Sequence, residues 1–173
     1  MELYVERGFE QTTVADIAER AGLTARTFFR HFADKREVLF NGAADLEAAM
    51  VAALVEAPAA ASPMEAVGAA LDAAAGMLGG NRDYSQQRNS VITSHAELRE
   101  RELIKMASLA KALAGGLRQR GVAGPVAGFA AEAGVVVFRL GFERWVTETD
   151  EQTLGEIMRQ SLEQLRAVTA VAD

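Results

Sequence analysis

The sequence predicts an all-α fold, and three observations lead to this prediction. Apolar residues recur at spacings of three and four along most of the chain, as on one face of a helix. Helix-capping residues such as Thr13, Ser62 and Thr153 precede these stretches. The β-branched run at residues 135–137 lies within helical spacing, and no strand-like alternation is found.

About nine helices are predicted on this basis. A three-helix head (residues 1–36) is expected to join a helical body (residues 37–173) through a long helix 4. Asp34 with Glu37 is predicted to open helix 4, which would run unbroken to about Leu54. Helix 5 is predicted from Pro63 to Gly79, and residues 81–89 are predicted to form a loop and a short helix 6. The predicted starts of the last three helices are Ser94 with Glu97 for helix 7, Gly124 for helix 8, and Thr153 with Glu156 for helix 9.

The strongest local pattern is two short helices separated by a tight turn. Thr13 is predicted to cap the first helix by accepting a hydrogen bond from the N–H of Asp16. Gly22 provides a residue able to adopt a positive φ in the turn, and Thr24 caps the second helix, residues 25–31. This is the pattern of a helix-turn-helix, a DNA-binding motif.

In a helix-turn-helix, the N-terminal residues of the second helix contact base edges in the major groove. The candidates for these contacts are Thr24, Ala25, Arg26 and Thr27. Arg26 is the strongest candidate, because a guanidinium can donate two hydrogen bonds to guanine. The net charge of −6 is acidic for a DNA-binding chain. Binding depends on local charge, however, and residues 24–36 contain four Arg or Lys against one Asp.

Residues 7–39, RGFEQTTVADIAERAGLTARTFFRHFADKREVL, resemble the DNA-binding segment of the TetR family of bacterial repressors. The resemblance implies an all-helical homodimer, operator DNA as a partner, and a variable body that binds an unknown small-molecule inducer. It also implies that the DNA backbone is contacted by Thr13, Phe29, Arg30, His31 and Lys35. Many relatives have Tyr where this chain has Phe29, so a hydroxyl-to-phosphate bond is replaced by apolar contact.

The family normally carries a longer first helix than the seven residues that precede Gly8. The sequence is therefore expected to begin inside helix 1, either because the start is assigned too late or because this is a short variant. The second possibility suggests an alternative function, a helical ligand-binding protein that has lost DNA binding.

Helices 8 and 9 carry heptad patterns that are typical of helix packing. The residues are Ala127, Gly134 and Gly141 in helix 8, and Leu154, Met158 and Leu165 in helix 9. Two interpretations follow from this spacing, packing within one chain or an interface between two chains. The family resemblance favours a homodimer through these two helices.

The body between helices 4 and 8 is expected to enclose the inducer, although a close-packed alanine-rich core is the simpler interpretation at any single position. Met50, Met77 and Met106 are candidates for its walls because methionine side chains adapt to varied ligands. Arg139 lies among apolar residues, so a salt bridge to Glu132 or Glu143 is favoured over contact with an acidic inducer. His95 is expected to be solvated or to cap a helix.

An enzyme is the main alternative from another class. The chain has two histidines and no cysteine, and it lacks the GxSxG, HExxH and P-loop spacings. No catalytic residue, metal site or cofactor is therefore predicted. Neither a signal peptide nor an uninterrupted apolar span of about 18 residues is found in the sequence, which predicts a cytoplasmic protein without a membrane partner. The favoured function is a ligand-responsive transcriptional regulator that acts as a repressor.

Overall fold

The computed structural model describes residues 1–149 and 151–169. Within these ranges the chain forms nine α-helices and one 3-10 helix, without a strand, so the predicted all-α class is confirmed. The elements are α1 (Glu2–Arg7), α2 (Val14–Arg20), α3 (Ala25–His31), the 3-10 helix (Lys35–Phe40), α4 (Ala43–Glu56), α5 (Pro63–Leu78), α6 (Arg82–Ser94), α7 (Ala96–Gln119), α8 (Gly124–Thr147) and α9 (Leu154–Thr169).

Three helices begin with capping boxes: the sequence predicts those of Ser62 and Thr153, and at Thr13 it predicts the cap alone. The hydroxyls of Thr13, Ser62 and Thr153 accept hydrogen bonds from backbone N–H groups three residues later. In return, carboxylates in the first turns accept from the backbone N–H of each capping residue. These reciprocal bonds satisfy N–H groups that lack a partner within the helix.

The same bonds make helix starts sensitive to acid. Hydrogen bonds from Thr13 lower the pKa of Asp16, and those from Ser62 and Thr153 lower the pKa of Glu65 and Glu156. A carboxyl whose pKa is lower in the folded state stabilises the fold above its unfolded pKa, and this contribution is lost as pH falls through the folded pKa.

We expect the free energy of unfolding to decrease as pH falls below about 4.5, where unperturbed carboxyls begin to bind protons. Urea unfolding followed by circular dichroism between pH 7 and pH 3 measures this dependence. Glu65→Gln removes one of the titrating groups and should flatten the curve. A Glu65→Gln curve parallel to that of the unmodified protein would show that this cap does not contribute.

The structure contradicts the single long helix 4. The side chain of Asp34 accepts from the N–H groups of Arg36 and Glu37, but the Glu37 carboxylate pairs with α7 instead of closing a capping box. Only a 3-10 helix follows, and Gly42 then adopts a φ of +86°, which interrupts the rod before α4. With 14 residues, α4 is about 21 Å long.

The polar segment after α5 is more regular than expected. Asn81 caps α6 by accepting from the N–H of Tyr84, and the helix continues to Ser94. The predicted Ser94–Glu97 start of α7 is wrong, because the Ser94 hydroxyl donates to the carbonyl of Ser90. His95 is instead the junction between α6 and α7, and its Nδ1 lies 2.9 Å from the carbonyl oxygen of Val91.

Two hydrophobic clusters organise the chain. The larger, in the body, is built by α4, α5, α7, α8 and α9, with residues such as Met50, Val67 and Leu113 at its centre. The smaller, in the head, contains Tyr4 and Phe9 together with Ile92 from α6 and Leu98 from α7. The head therefore rests on the α6–α7 junction of the body.

Two helical segments are, by length and composition alone, apolar enough to cross a bilayer, although inspection of the sequence predicts none. The first covers residues 35–56 and is interrupted at Gly42. The second is α8, which also packs against α5, α7 and α9 and contributes Ala127 and Trp145 to the body core. A central helix of a helical body has this composition as well, so these spans carry no further conclusion.

Candidate nucleic-acid interface and cavity

The turn between α2 and α3 is held by backbone bonds. The N–H of Leu23 donates to the carbonyl of Ala18 at 2.8 Å, and Gly22 has a φ of +67°. Thr24 caps α3 by accepting from the N–H of Thr27 at 3.2 Å, and the two hydroxyls lie 3.0 Å apart. These contacts fix the direction in which α3 leaves the turn.

One face of α3 is buried and the other is open. Phe28 is buried, with its ring 5.2 Å from that of the half-buried Phe32. Phe29, in contrast, is 58% exposed. The other exposed residues of α3 are Ala25, Arg26, Arg30 and His31, and Thr27 is half-buried.

The cations near this face differ in how they are engaged. Arg20, at the end of α2, pairs with Glu2 and Glu6 of α1 and thereby ties the two helices together. Arg26 has no hydrogen bond or ion pair with the described residues, and Arg30 contacts only the neighbouring His31 at 3.4 Å. Arg26 and Arg30 are therefore available to an external anion.

The side chain of Lys35 is bound within the head and does not point to the predicted contact with the DNA backbone. Its Nζ donates to the carbonyls of Phe9, Glu10 and Thr12, at 2.7, 3.2 and 3.1 Å, and lies 4.4 Å from the Phe9 ring centroid. The segment between α1 and α2 has carbonyls that no helix satisfies, and Lys35 supplies their donor. Sequence spacing could not show this, because the partners lie 23 to 26 residues away.

Tyr4 holds the backbone of the same lysine. Its hydroxyl donates to the carbonyl of Lys35, and burial raises the pKa of the phenol well above its usual range. The phenol therefore stays protonated as a hydrogen-bond donor. Tyr4 and Lys35 together fix α1 and the following loop to the start of the 3-10 helix.

A group of ion pairs and ring contacts, here called the joint, connects the head to the body. Glu37 pairs with Arg101 and lies 4.0 Å from Lys105, both on α7. Arg36 pairs with Glu97 at 3.2 Å, and its hydrogen bond to Asp34 keeps the pKa of that carboxyl below its usual range. The Phe9 ring also meets the His95 ring edge-on, with ring centroids 5.0 Å apart.

A cavity of about 470 Å³ lies beside the joint. Its wall is largely apolar and is built by the end of the 3-10 helix and by α4, α5, α6, α7 and α8. Its lining residues include Leu39, Phe40, Arg88, Glu102, Lys105 and Met106.

Only some of the predicted ligand residues line the cavity. Met77 and Met106 line the cavity. Met50 does not, because it is fully buried in the body core. Arg139 does not line it either: it is exposed on α8 and forms no ion pair with Glu132 or Glu143 within the described residues. In α8, Phe138 points into the body, so the next residue projects outward.

Arg88 is the cavity residue that sequence reasoning missed. Its Nε donates to the carbonyl of Leu39 at 2.7 Å, its Nη2 pairs with Glu102 at 3.0 Å, and its guanidinium lies 5.3 Å from the centroid of the Phe40 ring. The sequence predicts mainly a loop for the segment that contains it. The available signal is helical spacing, since Arg88 follows Ser85 by three residues and precedes Ile92 by four.

The predicted interface residues pack within one chain. A Cβ on Gly134 would lie 2.6 Å from Cγ1 of Val67, and one on Gly141 would lie 3.0 Å from Sδ of Met158. Ala127 and Leu154 are buried, and Leu165 packs against the same core. The structure therefore supports the intrachain interpretation of this pattern and contradicts its assignment to a dimer interface.

A different face of α8 is open. Phe129, Val136 and Leu140 are 80%, 40% and 49% exposed and follow one another at spacings of seven and four. We call these three residues the outer face of α8. On α9, Val168 is 84% exposed.

A helix-turn-helix on a helical body that encloses a cavity defines a one-component DNA-binding regulator, in which one chain carries both sites. Residues 1–41 match the family described as bacterial regulatory proteins, tetR family, and residues 61–170 match the family described as MftR C-terminal domain. The chain therefore belongs to the TetR family of bacterial transcriptional regulators, as its helix-turn-helix pattern predicts.

Individual relatives agree with this assignment. The HTH-type transcriptional regulator TcmR of Streptomyces glaucescens is 42% identical over 76 residues, which are 44% of this chain and 34% of that protein. The match thus spans about a third of the relative's length.

Solved structures share the fold. FadR of Thermus thermophilus, a TetR-family repressor solved with lauroyl-CoA, superposes with a TM-score of 0.63 at 23% identity and covers 100% of this chain and 92% of its own. The TetR-family regulator PfmR, also of Thermus thermophilus, gives a TM-score of 0.53 at 26% identity, with coverage of 95% and 92%.

Proposed function

We propose that this chain is a transcriptional repressor that binds a palindromic operator as a homodimer and is released by a small-molecule inducer. The observation that carries the proposal is the N-terminal half of α3, which is exposed and capped by Thr24, with Arg26 unengaged. A rigid, exposed helix start is the element that a helix-turn-helix places in the major groove. The family membership supports the same function.

Within the head, we propose two kinds of contact. Thr24, Ala25, Arg26 and Thr27 face base edges, whereas Thr13, Phe29, Arg30 and His31 face the sugar-phosphate backbone. The Thr13 hydroxyl already bonds to Asp16, so its contact with phosphate would use the remaining lone pair for a water bridge. The proposed division into a head of residues 1–36 and a body of residues 37–173 places the joint immediately after the DNA-binding surface.

The homodimer is proposed to form through α8 and α9, centred on the outer face of α8. Three large apolar side chains exposed in one line would otherwise remain in water, at a cost of about 25 cal/mol per Å². Two copies of α3 must also lie about 34 Å apart to read two half-sites of a palindrome. A symmetric pairing of α8 and α9 provides such a two-fold arrangement.

The cavity is proposed to bind the inducer. Its volume of about 470 Å³ lies in the range of sites for small molecules, and it is bounded by both the joint and the body. FadR, which shares the fold, was solved with lauroyl-CoA. Inducer binding would favour a different arrangement of the joint and thereby change the separation of the two heads. The proposal places this regulator in the cytoplasm and assigns it no catalytic step.

We expect Arg26→Ala to weaken operator binding by about 1–3 kcal/mol and to relax base preference at one operator position. Fluorescence anisotropy with DNA from the region flanking the gene, and with single-base variants of it, measures both effects. Arg118→Ala, an exposed substitution on α7, is the matched control and should bind as the unmodified protein does.

Equal loss of affinity on every base variant would mean that Arg26 contacts phosphate only. If the unmodified protein shows no salt-dependent affinity for any of this DNA, the alternative of a ligand-binding protein without DNA binding is favoured.

A further inference from the structure

We propose that the cavity recognises an amphipathic anion, a ligand with one carboxylate or equivalent acidic group on an aliphatic or aromatic body, and that Arg88 binds the acidic group. This inference rests on the proposed function, because it takes the cavity as the inducer site.

The first observation is the charge of the wall. Arg88 and Lys105 are its cationic residues, and Glu102 is its one acidic residue among those described. Most of the remaining wall is apolar, including Leu46, Phe138 and Phe142. Lys105 also lies 4.0 Å from Glu37, outside the wall, so Arg88 is the cation whose partner lies within the cavity. A guanidinium beside apolar surface favours a ligand with one negative group and an apolar body.

The second observation is that a carboxylate already occupies the position expected for the ligand's acidic group. Both oxygens of Glu102 face the guanidinium of Arg88, at 3.0 and 3.5 Å from Nη2 and Nη1. The fork of two N–H groups matches a carboxylate geometrically. A ligand carboxylate would therefore compete with Glu102 for the same two nitrogens.

The third observation links this site to the 3-10 helix, which also carries Arg36 and Glu37 of the joint. The Nε of Arg88 donates to the carbonyl of Leu39, and its guanidinium lies beside the Phe40 ring. Both residues belong to the 3-10 helix that precedes Gly42. A ligand that reorients the guanidinium would thus act directly on the segment between the head and α4, so Arg88 would both bind the ligand and position the joint.

Two fluorescent probes of one shape separate the anionic group from the apolar body. 1-Anilinonaphthalene-8-sulfonate carries a sulfonate, and N-phenyl-1-naphthylamine is the same aromatic body without it. We expect the unmodified protein to bind the sulfonate at least about tenfold more tightly, because a charge-assisted hydrogen bond adds to the apolar contact. Titrations are read by fluorescence, on full-length protein.

Arg88→Gln should weaken sulfonate binding by about tenfold or more and leave N-phenyl-1-naphthylamine nearly unchanged. Glu102→Gln should tighten sulfonate binding several-fold, because it removes the competing carboxylate. Partial unfolding exposes apolar surface that binds both probes, so the gain must be confined to the sulfonate and be accompanied by an unchanged near-UV circular dichroism spectrum. Under these conditions the Glu102→Gln variant keeps the test valid if Arg88→Gln is unstable. Arg118→Gln, the same charge change outside the cavity, should affect neither probe.

Sulfonate affinity that does not respond to either Arg88→Gln or Glu102→Gln would overturn the inference. Equal affinity for the two probes would also overturn it, while leaving the cavity as a site for neutral ligands. If neither probe binds but operator DNA does, the ligand inference fails and the DNA-binding part of the proposed function stands. If the unmodified protein binds the sulfonate in an Arg88-dependent way but does not bind operator DNA, the ligand inference stands and the DNA-binding part of the proposed function fails.

Discussion

A protein that carries both Phe129→Asp and Leu140→Asp is expected to be monomeric, to remain helical, and to lose operator binding. Both residues lie on the outer face of α8, where they are 80% and 49% exposed, so the subunit itself does not need them for its core. Carboxylates at both positions of a closely packed two-fold interface would be desolvated, with only apolar groups or like charges of the partner subunit opposite them, which is costly.

Loss of the dimer should reduce affinity for a palindromic operator by about 10²–10⁴-fold, because the second head then binds independently instead of at high effective concentration. Sedimentation velocity measures the oligomeric state, circular dichroism the helix content, and fluorescence anisotropy the operator affinity. Binding to a single half-site should be nearly unchanged.

Ile104→Asp provides the control. Ile104 is 62% exposed on α7 and precedes by one helical turn Ser108, whose hydroxyl lies 3.2 Å from Glu47 of α4. It therefore faces away from the outer face of α8, and the same change from apolar to charged should leave the dimer intact. If the Phe129 and Leu140 double variant stays dimeric while Ile104→Asp does not, the interface lies on α7 instead.

Substitution of the small residues of α8 would test packing within the subunit and not the dimer interface. Gly134→Leu places a side chain against Val67 within the same subunit, where even a Cβ comes within 2.6 Å of Cγ1. The expected result is a loss of stability by overpacking, typically about 1–3 kcal/mol, and not a clean separation of subunits.

The two faces of α8 show which structural information helical periodicity provides. The spacing of Ala127, Gly134 and Gly141 correctly indicates a face on which a neighbouring helix approaches closely. It does not indicate whether that helix belongs to the same chain, because the packing geometry is the same in both cases. The outer face, with Phe129 and Leu140, carries an equivalent period, and periodicity alone does not distinguish the two faces.

Short-range chemistry is predicted more reliably. The capping boxes at Thr13, Ser62 and Thr153 depend on residues three positions apart, and all three are formed. The prediction of an unbroken helix 4 is wrong because Glu37 pairs with Arg101 of α7, 64 residues away, and because Gly42 adopts a left-handed conformation. A capping residue can be proposed from the sequence, but competition from a distant charge, as at Glu37, or from a nearby carbonyl, as at Ser94, cannot be predicted.

The DNA-binding surface can be predicted from local sequence, whereas the cavity cannot. The exposed residues of α3 follow from one helix whose buried face is marked by Phe28. The cavity requires five helices to meet, and its central cation, Arg88, gains its meaning only from Leu39 and Glu102 on other elements. No pattern within α6 reports those neighbours.

Lys35 is the residue for which sequence resemblance and structure give opposite expectations, and a single substitution separates them. If its role is to hold the loop between α1 and α2, Lys35→Met should destabilise the head by about 1.5–3 kcal/mol, because three carbonyls lose a charged donor. Amide hydrogen exchange in residues 9–18 should become faster. Operator affinity should fall as a consequence, since a less ordered head must be folded upon binding.

The salt dependence of binding identifies the cause of that loss. A lysine that contacts phosphate releases a counterion, so the slope of log K against log salt concentration falls by about 1 for each contact removed, or about 2 for a dimer on a full operator. We expect Lys35→Met to leave the slope unchanged. Arg30→Ala is the matched comparison: Arg30 is exposed on α3 and bonds only to His31, so its removal from both subunits should reduce the slope by about 2 without accelerating exchange. A reduced slope for Lys35→Met together with unchanged exchange would mean that this lysine leaves the loop carbonyls to bind DNA, and that water replaces it there.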